Sequence, residues 1–315
     1  MKKILCLVLS FVMLFAVSCS AKTSSDTSES SSEEPAKYEF QIAPYSEYWR
    51  DNYDPEMEES FKSYCEAVSK GETEFTCTYR SMTAVTDFKM LAYELMPIAA
   101  HYATITSISP DEQIAHIDYG MSQEDFLEKY NDFKYHITDI INTTCKPEYT
   151  DLEKSLALYD YLANNCEFDK SNKPHSSYEV LTDGIGICQD IAPAYNFLLA
   201  QVSIEALTCC SMFHAWSMVK IDGSYYHVDP TFILNEPNTL RYFGMTDDKR
   251  EESVDVDKNT WGYSFYHFED KDGKYKATND FFLPLDDSQD YEIDYENDVI
   301  SYVSRSTGEK MTFEY

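Results

Sequence analysis

Positive charge is scarce in this 315-residue chain: 25 Lys and Arg stand against 56 Asp and Glu, a formal net charge of −31. Such a balance repels phosphate backbones and anionic lipid headgroups over the whole protein and excludes nucleic acid as a partner. No uninterrupted apolar run reaches the ~20 residues a permanent membrane-spanning helix needs. No C-x-x-C pair occurs, so the ligand spacing of a zinc site is missing. The acidic runs Asp286-Asp287 and Glu292 to Asp298 lack the ordered ligands and glycine of an EF-hand loop, and calcium has no support. The histidines His101, His116, His136, His175 and His267 are not spaced as metal ligands, and no cofactor is called for.

What is present is material for a packed body. The chain is 43% apolar and 15% aromatic, with 26 Tyr and 18 Phe, enough for one large domain or two ordinary ones. A basic start, Lys2-Lys3, precedes the apolar stretch Ile4 to Val17, which is the pattern of a secretory signal. It ends in Ala16-Val17-Ser18-Cys19, which resembles the lipobox of bacterial lipoproteins, where Cys19 becomes the lipidated first residue. The other reading is an ordinary signal peptide with an incidental cysteine. Residues 20–39 are Ser- and Glu-rich with no apolar periodicity, and nothing there offsets the entropy of ordering them. This tether spans on the order of 25 Å, so lipid rather than charge would hold the body at the outer face of a bacterial membrane. Of nine cysteines, Cys6 and Cys19 fall in the signal; the odd number left in an exported body implies at least one free thiol. The adjacent Cys209 and Cys210 are poorly placed to bond each other.

The body reads as mixed helix and strand. Asp54-Pro55 caps a helix that buries Phe61, Tyr64, Cys65 and Val68 and stops at Gly71. Strands are expected over Glu74 to Arg80 and Gln113 to Tyr119, with a helix from Asp87 to Tyr102 bent at Pro97. Ser122 opens a long helix ending near Cys145. Thr150-Asp151-Leu152-Glu153 is a capping box for the next, whose stripe is Leu156, Tyr159, Leu162 and Ala163. Residues 291–315 suit a terminal β-hairpin turning at Ser306-Thr307-Gly308. The domain plan is therefore 1–19 signal and lipobox, 20–39 tether, 40–149 N-terminal α/β region, 150–250 core, and 251–315 β-rich segment.

Chemistry concentrates in that core. Gly184-Ile185-Gly186-Ile187-Cys188-Gln189-Asp190 delivers a cysteine to the start of a helix with the stripe Ile191, Ala194, Tyr195, Leu198, Leu199 and Val202. With Asp190 as N-cap, Pro193 falls at the third helical position, where its missing N–H costs no intrahelical bond. The positive end of the helix dipole favours thiolate over thiol at Cys188. Two strands, Leu207 to Ile221 and Ser224 to Thr231, meet at the hairpin turn Asp222-Gly223. In that register His214 faces Thr231 and Trp216 faces Asp229, so Asp229 is diagonal to His214 on one face and within reach of its imidazole. His227 shares that face and reads as a strand-surface residue.

Cys188 at a helix start, then Phe213-His214-Ala215-Trp216, then Asp222-Gly223-Ser224-Tyr225-Tyr226-His227-Val228-Asp229-Pro230-Thr231, resembles the transglutaminase-like superfamily. Phe168-Asp169 and Arg241-Tyr242-Phe243 also look like family features, without catalytic roles. The resemblance covers Thr150 to near Arg250. It implies an α+β fold with a papain-like, transglutaminase-like core, in which the Cys helix packs on an antiparallel sheet bearing His and Asp, plus an N-terminal α/β extension. It implies Cys188 as nucleophile, His214 as base and later acid, and Asp229 as the group orienting the imidazole. The Cys188 N–H would be one oxyanion donor, with Gln189 or Tyr178 as candidates for the second. The function expected is thioester chemistry at an amide, as a peptidase or amidase or as glutamine acyl transfer. The substrate would be a peptide or protein, cell-wall peptides and neighbouring surface proteins among them. The alternative is a surface-anchored binding or assembly module that keeps the fold without turnover.

Overall fold

Helix starts in this protein are set by local chemistry. The computed structural model describes residues 37–44, 47–236, 238–252, 261–263, 270 and 272–315. The signal segment 1–19 with Cys6 and Cys19, nearly all of the tether, and His267 lie outside the described residues. After α1 (Glu47–Asn52), helix α2 (Pro55–Ser69) begins where Asp54 accepts from the Glu56 N–H and Pro55 supplies a preset φ. Ser122 caps α5 (Gln123–Thr144), and Thr150 and Glu153 close the capping box of α6 (Asp151–Asn165), as the sequence predicts.

Between α2 and α5 the sequence reading needs three corrections. Strand β1 (Glu74–Thr76) is shorter than expected, because the Ser60 hydroxyl captures the backbone N–H groups of Thr78 and Tyr79 and takes them off the ladder. The helix expected over 87–102 is two, α3 (Ala84–Leu95) and α4 (Pro97–Tyr102), separated at Met96, which Pro97 drives to φ −153°. The third is a strand not anticipated, β2 (Thr104–Ser109), which pairs with β3 (Ile114–Asp118) to complete a sheet of order β1-β3-β2.

The core that positions the site follows. Strand β4 (Glu167–Phe168) runs parallel to β5 (Ile185–Gly186), with α7 (Ser177–Asp183) between them. Helix α8 (Cys188–Gln201) then packs on β6 (Ala206–Cys210) and β7 (Ala215–Ile221), and against α3, α6 and α7. Ile191, Tyr195, Leu198 and Leu199 on α8 are fully buried, each contributing about 1.5–3 kcal/mol by leaving water. The four-stranded antiparallel sheet has the order β8-β7-β6-β9, with β8 at Ser224–Val228 and β9 at Gly262–Tyr263. The hairpin at Asp222-Gly223 forms with both residues at positive φ, 48° and 82°, and Ser217 opposite Val228 keeps the register read from the sequence.

Two strand ends differ from expectation. The segment 207–221 is two strands, folded back at Ser211–His214, where the Ser211 N–H bonds the His214 carbonyl at 2.8 Å. Strand β8 stops at Val228 rather than 231, because Pro230 has no N–H for a ladder and instead opens α9 (Pro230–Asn235). After α10 (Asp247–Arg250) and a 3-10 turn at Leu283–Asp287, the tail is a three-stranded sheet, β10 (Ser288–Asp294), β11 (Val299–Ser304) and β12 (Lys310–Glu314), one strand more than the hairpin expected. Residues 36–315 form one compact unit. Among the described residues no helix is long and apolar enough to cross a membrane.

Gly184 is the hinge that delivers Cys188. It ends α7 in the left-handed region at φ 69°, and a Cβ there would lie 2.5 Å from the Asn165 carbonyl oxygen. Gly223 is also left-handed but faces open space. Gly223→Ala should therefore cost only the left-handed penalty, about 1–2 kcal/mol. Gly184→Ala should cost that plus a backbone displacement, about 3 kcal/mol or more. Urea unfolding of the two variants checks the order, and equal costs would refute the hinge.

Candidate active site

The site is assembled at the ends of elements rather than along them. Cys188 is the first residue of α8, with Ile187 at the N-cap. Asp190 is thus not the N-cap: it stands at the third helical position, reaches back, and accepts from the Ile187 N–H at 3.0 Å. The reach-back replaces the cap expected from Asp190 itself, because Ile187 offers no side-chain acceptor of its own. Pro193 consequently sits inside the helix, where it has no N–H to give the Gln189 carbonyl one turn earlier. The same Asp190 oxygen accepts from the His175 N–H at 3.1 Å. His175 in turn contacts Asp169 at 2.9 Å, clamping the loop after β4 to the start of α8. This is the role the structure gives the Phe168-Asp169 pair.

His214 is the last residue of the β6–β7 turn, and Asp229 is the N-cap of α9. His214 Nε2 and Asp229 Oδ2 are 2.7 Å apart, the pairing anticipated from the hairpin, although neither residue lies within a strand. Cys188 acts on the same ring, by hydrogen bond and by charge, and favours its protonated form. The imidazole lies parallel to Phe232, 4.8 Å between centroids, and to Trp216 at 6.0 Å. Burial alone would lower the His214 pKa. The charge and hydrogen bond of Asp229, then Cys188, outweigh burial and push it up to about 10.

Asp229 is fully buried and every acceptor position is used. Oδ1 accepts from the Thr231 and Phe232 N–H groups at 3.1 and 3.3 Å. Oδ2 takes His214 and also Arg250 Nη2 at 3.2 Å. Arg250, 1% exposed, lays its guanidinium 4.3 Å from the Trp216 ring. Sequence reasoning did not find Arg250, which no spacing ties to Asp229 before the chain folds. The Tyr242 carbonyl accepts from the Asp229 N–H at 2.8 Å, so the Arg241-Tyr242-Phe243 segment holds the backbone beneath the carboxylate.

His227 is not a surface residue. It is fully buried, accepts from Trp216 Nε1 at Nδ1 (2.8 Å) and places Nε2 2.9 Å from Asp247. Burial lowers its pKa, and the hydrogen bond to Asp247 does not overcome that. Of the oxyanion candidates, Gln189 borders the cleft, whereas Tyr178 stacks on His101 at 4.7 Å and is not among the residues lining it.

Seven body cysteines are present as thiols. Five are buried; of the two part-exposed ones, burial pushes Cys166 up to about 12. Cys188 opens onto a cleft of about 480 Å³ shared with His214, Phe168, Phe213 and Phe232. Cys210 also borders it, but burial pushes that thiol up to about 11. Among the described residues no group of three or more His, Cys, Asp or Glu is placed to hold a metal ion.

Residues 137–230 match the family model of the transglutaminase-like superfamily. The fold is accordingly α+β with a transglutaminase-like segment. Among solved structures, the chain is similar to a protein of Cytophaga hutchinsonii assigned provisionally as a cysteine protease, at 27% identity over 25% of this chain and 30% of that one, TM-score 0.22. It is also similar to one of Parabacteroides distasonis assigned provisionally as a protease, at 13% identity over 36% of this chain and 27% of that one, TM-score 0.25. The matched region spans less than a third of either protein's own length. No curated protein matches the chain.

Because the folded His214 pKa is about 10 against an ordinary 6.5, its protonated form contributes stability that is complete below pH 6.5 and is lost as pH rises through 10. Urea midpoints at pH 6.5 and 10 should fall more for the wild type than for His214→Gln. Identical losses in the two proteins would show that His214 is not charged in the folded state.

Proposed function

We propose that this chain is a thiol enzyme acting on amide bonds through a Cys188 thioester, exported and held at the outer membrane face by lipid on Cys19. The observation that carries the enzymatic reading is the His214 imidazole, held between a buried Asp229 and the Cys188 thiol at the mouth of an open cleft. The transglutaminase-like match of residues 137–230 agrees with it.

In this reading His214 has already taken the Cys188 proton, and the thiolate attacks the amide carbonyl and forms the C–S bond. The developing oxyanion meets the Cys188 N–H, which as the first N–H of α8 has no intrahelical acceptor. Gln189, at the cleft edge, is the candidate second donor. Collapse of the tetrahedral centre breaks the C–N bond, and the leaving amine takes the proton back from His214. Asp229 keeps the ring in the productive orientation throughout. Water then releases the acid, or a second amine forms a new amide. A peptide or protein at the cell surface, cell-wall peptide included, is the substrate class.

Wild-type protein should label with iodoacetamide at pH 6.5 at least tenfold faster at Cys188 than His214→Ala does. It should also release ammonia or new amines from a peptide library, while Cys188→Ala does neither. Equal slow labelling would leave the non-catalytic binding module, and undiminished release by Cys188→Ala would remove the nucleophile. For the anchor, cells fed a clickable fatty acid should label the wild type and not Cys19→Ala; labelling of both would end that part of the proposal.

A further inference from the structure

The β6–β7 turn exposes two large apolar side chains next to the base. Met212 is 76% exposed and Phe213 82%, on a turn between strands whose residues are all buried but for the half-buried Lys220. Single exposed hydrophobes are ordinary on a protein surface. These two line the same cleft as Cys188 and immediately precede His214. Phe168, Ile187 and Phe232 also border it, so apolar surface lies around the thiol on several elements.

Charge points the same way. The chain carries a net −31, yet among the described residues no Asp, Glu, Lys or Arg lines this cleft. The one basic side chain among the described residues lining it, His214, is already paired with Asp229. A carboxylate entering would lose water without gaining a cationic partner, against the field of the whole protein. An aliphatic or aromatic side chain would instead cover Met212 and Phe213 and take apolar surface out of water.

We propose that Met212 and Phe213 form a specificity subsite for an apolar side chain on the acyl side of the attacked amide, and that the cleft rejects acidic residues there. The inference rests on Cys188 being the nucleophile and names the substrate class for that reaction: neutral peptides with an aliphatic or aromatic residue beside the scissile carbonyl.

The test uses dipeptidyl chloromethyl ketones ending in Leu, Phe, Glu or Lys, in which the Cys188 sulfur displaces chloride to form a C–S bond. Labelling rates are read by intact mass and divided by the iodoacetamide rate of the same protein, so a general change in thiol reactivity cancels. In the wild type the Leu and Phe reagents should react at least tenfold faster than the Glu reagent. In Phe213→Ser and in the Met212→Ser/Phe213→Ser double variant that preference should shrink at least threefold. A Glu rate equal to the Leu rate in wild type, or a preference unmoved in the double variant, overturns the subsite and leaves the nucleophile standing. Failure of iodoacetamide itself to label Cys188 removes the nucleophile, and the subsite with it.

Discussion

The Asp229 carboxylate is the interaction on which the site depends. It is fully buried and binds four donors: His214 and Arg250 on one oxygen, the Thr231 and Phe232 N–H groups on the other. An ionised carboxylate out of water is tolerable only with its lone pairs filled. Here filling them ties together four pieces of chain: the turn before β7, the end of β8, the first turn of α9 and the end of α10. Removing one partner of such a buried pair generally costs about 3–5 kcal/mol, because the other is left uncompensated. The orienting group of the site is therefore also a fold determinant. A change there alters geometry and stability together.

The sheet carries a second His–Asp contact, and comparing the two shows what separates a reactive imidazole from a structural one. His214 and His227 both lie within hydrogen-bond distance of a carboxylate, at 2.7 and 2.9 Å. Their pKa values move in opposite directions. Burial opposes the charge on both rings; the fully buried Asp229 outweighs it at His214, the part-exposed Asp247 does not at His227, and the far side of each ring adds to the contrast. Trp216 donates to His227 Nδ1, which requires a lone pair there and so a neutral ring. His214 has the Cys188 thiol instead, whose anion favours the imidazolium. Proximity to an acid does not make a base; the accounting of donors around both nitrogens does.

The same distinction explains what could be read from the chain. The caps at Asp54, Ser122 and Thr150 were legible because each is satisfied within a few residues of itself. The His214–Asp229 pairing was legible because one tight turn, Asp222-Gly223, fixes the register for several residues on either side. The break after Cys210 was not, since both flanking strands are buried on both faces and form a nearly continuous apolar run. His227 was misread for a related reason: strand alternation says which face a residue shares, not what covers that face, and here Asp247 and Trp261 cover it. Arg250 lay beyond reach because its partners come from distant segments that meet only in the fold.

Seven thiols in one body present the selection problem in its simplest form. Residue type is identical, and the environment assigns the roles. Burial drives the thiols of Cys65, Cys77, Cys145, Cys166, Cys209 and Cys210 upward, and for Cys145 and Cys166 to about 12, so that at neutral pH they behave as small apolar side chains. Cys188 differs by position: the Gly184–Gly186 turn places it on the first turn of α8, in the cleft, beside the one imidazole that the buried carboxylate holds in its charged form. Each of those conditions comes from a different part of the chain. The nucleophile is therefore a product of the tertiary fold rather than of the motif around the cysteine.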